Sequence, residues 1–179
     1  MTTSQLFQPT RIGDIEVANR IVMAPLTRSR ADEASGDVPG SVMNVDYYRQ
    51  RSGAGLIISE GTQVSPVGKG YMATPGIYSD AQVEGWKPVT QAVHEAGSKI
   101  IAQIWHVGRI THPDLTGGAQ PVAPSAIQPK VVAYTPNGKV DVPVPHALTT
   151  AEVKDVVQQF RQAAANAMRA GFDGVEIHG

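Results

Sequence analysis

Ala102-Gln103-Ile104-Trp105-His106-Val107-Gly108-Arg109 is an apolar strand that turns polar and aromatic as it ends. Strand side chains alternate between faces, so Gln103 and Trp105 point the same way. A carboxamide and an indole delivered side by side from a strand end suit a flat heteroaromatic ligand. The amide pairs with ring N–H and C=O groups, and the indole bounds the space above. A core tryptophan beside a satisfied buried glutamine explains the same residues more plainly. The choice between the two depends on what stands at the other strand ends.

Working outward, strand and helix signals alternate. Thr10 to Val17 predicts a small hairpin turning at Gly13-Asp14. Asn19 to Leu26 is the first buried strand, followed by a Gly/Pro-rich loop and a helix near Val42 to Arg51, stopped by Gly53. Gly55 to Gly61 is the second strand. Ser79 with Gln82 three residues on forms a capping box, opening a helix with apolar face Val83, Trp86, Val89 and Val93, ended by Gly97. Pro88 inside that span predicts a break or kink near Lys87. Ile100 to His106 is the third strand. Thr149 and Glu152 form a second capping box. Val153, Val156, Val157, Phe160, Ala164, Ala167 and Met168 then recur at helical spacing, and Gly171 supplies the stop. Asp173 to His178 is the fourth strand.

Near-continuous apolar strands alternating with helices mean parallel βαβ units. A doubly wound open sheet and a barrel both satisfy that pattern. No G-x-G-x-x-G follows the first strand and no P-loop occurs, which removes support from the nucleotide-binding open sheets. The candidate chemical groups all sit at strand C-terminal ends, as a (β/α)8 barrel requires. The segment from Ile110 to Leu148 breaks the rhythm. It is rich in Pro and Gly, and Asn137-Gly138 marks a hairpin turn. An insertion of this length leaving a strand C-terminal end reads as a lid over the active-site mouth, with a structural flap or an oligomer contact as the alternative.

The 179 residues are 41% hydrophobic and 17% charged, enough for one globular core. A formal net charge of -1 leaves no electrostatic footprint for nucleic acid or an anionic membrane. There is no cysteine, so disulfides, thiolate metal sites and cysteine nucleophiles are excluded. The N-terminal residues hold no apolar signal core, and no apolar run could span a bilayer. A cytoplasmic protein is the expectation.

Several strand-end groups could carry chemistry. Pro25, Leu26 and Thr27 leave the first strand, and the Thr27 hydroxyl either donates to a ligand carbonyl or simply forms a turn. Gly61 closes the second strand and would let a ligand approach its backbone. His178 closes the fourth strand on the face of Glu176, where it could donate to a developing oxyanion or be structural. Glu176 needs a cation or donors, expected from Arg20 or from a group beyond this chain. His94 is expected on an exposed helix face, and His106 alternates away from Gln103 towards a helix. His112 and His146 fall in the insertion. No histidine pair has metal-ligand spacing, so no metal is predicted.

Six ordered motifs carry a resemblance: Asn19-Arg20-Ile21-Val22-Met23-Ala24-Pro25-Leu26-Thr27-Arg28, Tyr47-Tyr48-Arg49-Gln50-Arg51, Gly55 to Thr62, Gln103 to Arg109, Pro121-Val122-Ala123-Pro124-Ser125 and Ala170 to His178. Together they resemble the old yellow enzyme family, and most nearly its bacterial ene-reductases of the N-ethylmaleimide and xenobiotic reductase type. The resemblance implies an FMN-binding (β/α)8 TIM barrel. It implies that Pro25, Leu26, Thr27, Gly61 and Gln103 contact the flavin, with Thr27 tuning its potential. It also implies that Trp105 and Tyr71 shape the substrate pocket and that His178 grips the substrate carbonyl or nitro group. The implied activity is NAD(P)H-dependent reduction of activated C=C bonds in α,β-unsaturated carbonyl compounds, and nitro compounds are left open.

In that family four more βα units follow the last motif. Residues 1–179 are therefore expected to form the N-terminal half of one domain, with 110–148 as its lid. The second carbonyl donor, the proton donor and the phosphate site would lie outside the chain. The expected partner is a second polypeptide carrying the C-terminal half-barrel, with self-association of two copies as the alternative. Opposed to the catalytic reading is a non-catalytic half-barrel that binds no flavin on its own. A dienoyl reductase with an iron-sulfur module is weakened by the absence of cysteine.

Overall fold

The computed structural model describes residues 4–39 and 41–179. It opens on the expected hairpin, β1 (Thr10–Ile12) antiparallel to β2 (Ile15–Val17), with Ile12 opposite Ile15. β3 (Val22–Met23) is much shorter than the strand predicted over Asn19 to Leu26. Asn19 does the holding instead: its Oδ1 accepts from the amides of Ile21 (3.0 Å) and Gly55 (2.9 Å), and its Nδ2 donates to the Gly53 carbonyl. A side-chain staple thus reinforces the backbone bond from Gly55 to the Ile21 carbonyl at the start of the wall. α1 (Val42–Arg49) begins on Ser41, whose hydroxyl accepts from the Asn44 amide, and ends two residues before the predicted Arg51.

β4 (Leu56–Ile58) and β5 (Thr62–Gln63) lead to α2 (Asp80–Glu95). The Ser79–Gln82 capping box forms as predicted. Of the break or kink predicted near Lys87, the break does not occur, because α2 runs through Pro88. Pro88 and Glu84 both lie on the exposed side, so the Glu84 carbonyl that loses its helical donor faces water. Both long helices close in the same way. Gly97 donates to His94 and Ser98 to Val93, while Gly171 donates to Met168 and Phe172 to Ala167. These are Schellman bonds, and they require the left-handed φ of +84° and +89° at the two glycines.

β6 (Lys99–Trp105) is the central strand. Inside the insertion β7 (Val122–Ala123) pairs in parallel with β10 (His146–Ala147), and β8 (Val132–Thr135) pairs with β9 (Gly138–Asp141). The β8–β9 reversal runs through Pro136-Asn137 rather than Asn137-Gly138, since Thr135 pairs with Gly138, which carries the positive φ. α3 (Thr150–Arg169) starts on the predicted Thr149–Glu152 box and leads to β11 (Val175–His178).

The main sheet has the order β11-β6-β4-β3, all parallel, with β5 also joined to β6. Strands adjacent in this order follow one another along the chain without reversal. A doubly wound sheet would reverse at a switch point and carry helices on both faces. Here Ile57, Ile100, Ala102 and Ile104 on one face pack with Trp86, Val89 and Val93 of α2 and Ala163 and Ala167 of α3. The other face carries Gln103 and Trp105 of β6 and Glu176 and His178 of β11. One-sided helices over consecutive parallel strands form part of a barrel wall, with that second face as the lumen.

The predicted apolar stripe of α3 is only partly covered. Ala167 is buried, but Val153, Val157 and Met168 are exposed. No helix among the described residues is long and apolar enough to cross a membrane.

Candidate active site

The β6–β11 register decides what meets at the C-terminal end of the sheet. Gln103 pairs with Glu176 and Trp105 with His178. Paired residues on parallel strands share a face, so all four side chains point to the lumen. The Trp105 and His178 rings stack, with centroids 6.0 Å apart and planes inclined by 26°. The Tyr71 ring lies 5.9 Å from Trp105. Tyr71, Trp105 and His178 line one cleft of about 280 Å³, together with His106, Val107 and Ile110. Ile110 opens the insertion, so the insertion begins at the rim of that cleft.

The second strand, predicted over Gly55 to Gly61, ends at Ile58, so Gly61 lies in the short link between β4 and β5, where it faces a side chain. A Cβ on it would lie 2.6 Å from the Trp105 indole. Its missing side chain makes room for that ring. Pro25, Leu26 and Thr27 do not line the cleft, and Leu26 and Thr27 are exposed. They are nevertheless tied to the same sheet end. The Arg28 amide donates to Glu60 Oε2 at 3.2 Å and its Nη2 donates to Glu60 Oε1 at 3.1 Å. Glu60 directly precedes Gly61.

This tether belongs to a buried network that sequence reading did not assign. Arg28 Nη2 also donates to Asn44 Oδ1 at 2.6 Å, and the Tyr47 ring lies 3.5 Å from the guanidinium carbon. The Glu60 amide donates to the Tyr48 hydroxyl, which donates to the Glu60 carboxylate. Burial, reinforced by the neighbouring Glu60 charge, pushes the Tyr48 phenol far above its ordinary range, so it stays a neutral donor. Arg28, Glu60 and Tyr48 stand inside the motifs quoted above, but only the folded chain brings three such distant positions together.

A second cluster gathers around the buried Lys69, two residues before Tyr71. Lys69 Nζ lies 2.7 Å from both Glu33 Oε1 and Asp37 Oδ1, and the Lys69 carbonyl accepts from the Thr111 hydroxyl. Burial alone would lower the ammonium pKa, but the two carboxylates outweigh it and hold it above the ordinary value.

One partner expectation is corrected. Glu176 is met by Gln103, whose Nε2 donates to Glu176 Oε1 at 2.7 Å, while Arg20 lies exposed. A neighbouring strand meets the carboxylate before any arginine can. His94, exposed as predicted, lies 2.7 Å from Asp173. His106 turns to the α3 side, where it lines a pocket with Val156 and Gln159, and burial lowers its pKa. His112 and His146 lie beside Asp114 and Glu152.

The arrangement can hold a flat ring. Gln103 supplies an oriented amide, Trp105 an apolar wall and His178 an exposed N–H. That donor set fits the heterocycle of a flavin.

Comparison with known proteins agrees with this chemistry. The model of the NADH:flavin oxidoreductase / NADH oxidase family matches residues 5–179. The old yellow enzyme homologue from Zymomonas mobilis superposes with a TM-score of 0.92 at 49% identity, covering 97% of this chain and 48% of that one. Morphinone reductase in complex with tetrahydroNAD gives a TM-score of 0.88 at 46% identity, with 98% and 49% coverage. Rice (Oryza sativa subsp. japonica) 12-oxophytodienoate reductase 1 is 42% identical over 174 residues, 97% of this chain and 44% of its own length. The chain thus spans about half the length of the relatives it matches. A barrel wall of consecutive parallel strands, functional side chains at their C-terminal ends and a family match over residues 5–179 place the chain in the NADH:flavin oxidoreductase / NADH oxidase family, as part of an old yellow enzyme barrel.

Proposed function

We propose that this chain supplies the flavin-facing and substrate-facing half of an FMN-dependent, NAD(P)H-consuming ene-reductase. The observation that carries the reading is the stacked Trp105–His178 pair beside the oriented Gln103 amide at one sheet end. When bound and reduced by NAD(P)H, FMN would supply hydride chemistry towards the β-carbon of an α,β-unsaturated carbonyl compound, the proton for the α-carbon coming from a donor outside these residues. Gln103 holds the pyrimidine edge of the ring. Pro25 and Leu26 offer backbone groups, and the Thr27 hydroxyl donates to a ring carbonyl. His178 donates to the substrate oxygen, stabilising enolate-like charge, while Trp105 and Tyr71 bound the substrate laterally. Residues 110–148 act as a lid over this mouth.

The site as described is open on one side. Ile177 at the β11 edge is 69% exposed, and Val22 on β3, at the opposite edge, is exposed as well. This favours a second reading for the chain alone, a half-barrel that holds no flavin until further strands complete it. A second polypeptide carrying the C-terminal half-barrel is the proposed partner.

The test is the visible spectrum of the desalted chain, alone and after mixing with the C-terminal half of a relative and FMN. Support would be a retained flavin spectrum in the mixture, bleached by NADPH under nitrogen and restored by cyclohexenone. A mixture that assembles yet stays colourless would overturn the reading.

A further inference from the structure

We infer that Glu176 is a positioning residue that fixes which edge of the Gln103 carboxamide faces the lumen, an inference that rests on the flavin reading of the site. A carboxylate only accepts hydrogen bonds, so at 2.7 Å it selects the amide nitrogen and turns the carbonyl oxygen away. Gln103 is only 8% exposed, so water does little to compensate a flipped amide. A flip would set the amide oxygen against the carboxylate in a weakly screened space. The backbone of the same residue is pinned as well, its N–H donating to the Ser59 hydroxyl at 3.1 Å.

With one N–H committed to Glu176, Gln103 keeps its C=O and its second N–H for a ligand. That pair complements a ring edge carrying an N–H beside a C=O, the edge of a cyclic imide, as in the pyrimidine half of a flavin. Released from Glu176, the amide could present either order of groups and the discrimination would fall. Glu176 also places a negative charge next to the edge where a reduced ring gathers negative charge. It therefore disfavours the reduced form and lowers the midpoint potential.

The two roles separate in substitution. Glu176→Gln keeps an acceptor oxygen and the shape but loses the charge, and Glu176→Ala loses both. In the completed barrel, E176A is expected to weaken FMN binding about tenfold, the loss of one charge-assisted hydrogen bond. E176Q should restore binding to within about threefold, while the midpoint potential rises in both variants. In the chain without flavin, one Gln103 side-chain N–H should resonate downfield and exchange slowly, and should lose both properties in E176A. FMN affinity and Gln103 signals unchanged in E176A would overturn the inference, as would a potential unmoved in E176Q. Wild-type protein that assembles but takes up no FMN would instead overturn the flavin reading and this role with it, whatever the amide signals show.

Discussion

Glu60 and Arg28 show at the level of single residues how this site is held. The pair is buried, and removing one partner leaves an uncompensated charge. Glu60→Ala should cost about 3–5 kcal/mol, read as a shift in the urea midpoint. Tyr48→Phe, which removes one hydroxyl from the same network, should cost about 1 kcal/mol. An E60A chain as stable as wild type would mean that the pair does not hold the sheet end together. Gly61→Ala tests the close approach of Trp105, because the new methyl would overlap the indole. A cost of about 1–3 kcal/mol is expected, together with a changed tryptophan emission as the ring is displaced. Gln103 and Trp105 were legible together because strand alternation puts them on one face, as it does Glu176 and His178; that the two pairs meet follows only from the β6–β11 register. Glu60, Arg28 and Tyr48 were not, because their roles come from contacts between residues far apart in the chain. Glu176 was half legible: its need for a partner followed from its charge, but the partner's identity followed from strand register, which no local pattern encodes.

Among the elements, the helices were read more faithfully than the strands. Capping boxes at Ser79 and Thr149 and glycine stops at Gly97 and Gly171 are local chemistry, and all four are present in the fold. Pro88 does not interrupt α2, because the cost of a helical proline depends on whether its orphaned carbonyl reaches water. The first strand was overextended because an apolar run does not reveal where ladder pairing starts and stops, here at Val22 and Met23. Thr149→Ala should destabilise α3 by about 1 kcal/mol, measurable by thermal melting followed at the helix band. The same cap makes a pH prediction. Bonds from the Thr149 amide and hydroxyl, and the neighbouring His146, hold the Glu152 carboxyl at about 2 against an ordinary 4.5. The folded chain therefore binds this proton less readily than the unfolded chain. The contribution is complete above about pH 4.5 and fades as pH falls through about 2, and it is small because Glu152 stands in solvent. The wild-type melting temperature should fall over that window more than that of Glu152→Gln. Parallel slopes would show that the cap carries no acid dependence.

For the whole molecule, strand order agrees with the barrel that the strand-end groups and the family resemblance favoured over a doubly wound sheet. Consecutive parallel pairing with helices on one face fits a barrel wall and not a doubly wound sheet. That wall exposes Ile177 at one edge and Val157 on the outer helix, surfaces that further βα units would cover. The chain alone is expected to associate as concentration rises, detectable by light scattering. Ile177→Lys combined with Val157→Glu should suppress that association without lowering helix content. Undiminished association in the double variant would place the sticky surface elsewhere.

The pairing of β11 with β6 also has a consequence for motion. β11 lies at one edge of the main sheet, with β6 as its neighbour there. Local opening of an edge strand is the ordinary low-energy fluctuation of a folded protein. Here a single such event would carry away Glu176 and His178 together, so the amide lock and the ring stack share one equilibrium. Whatever docks against β11 would shift that equilibrium and set the fraction of time for which the site exists.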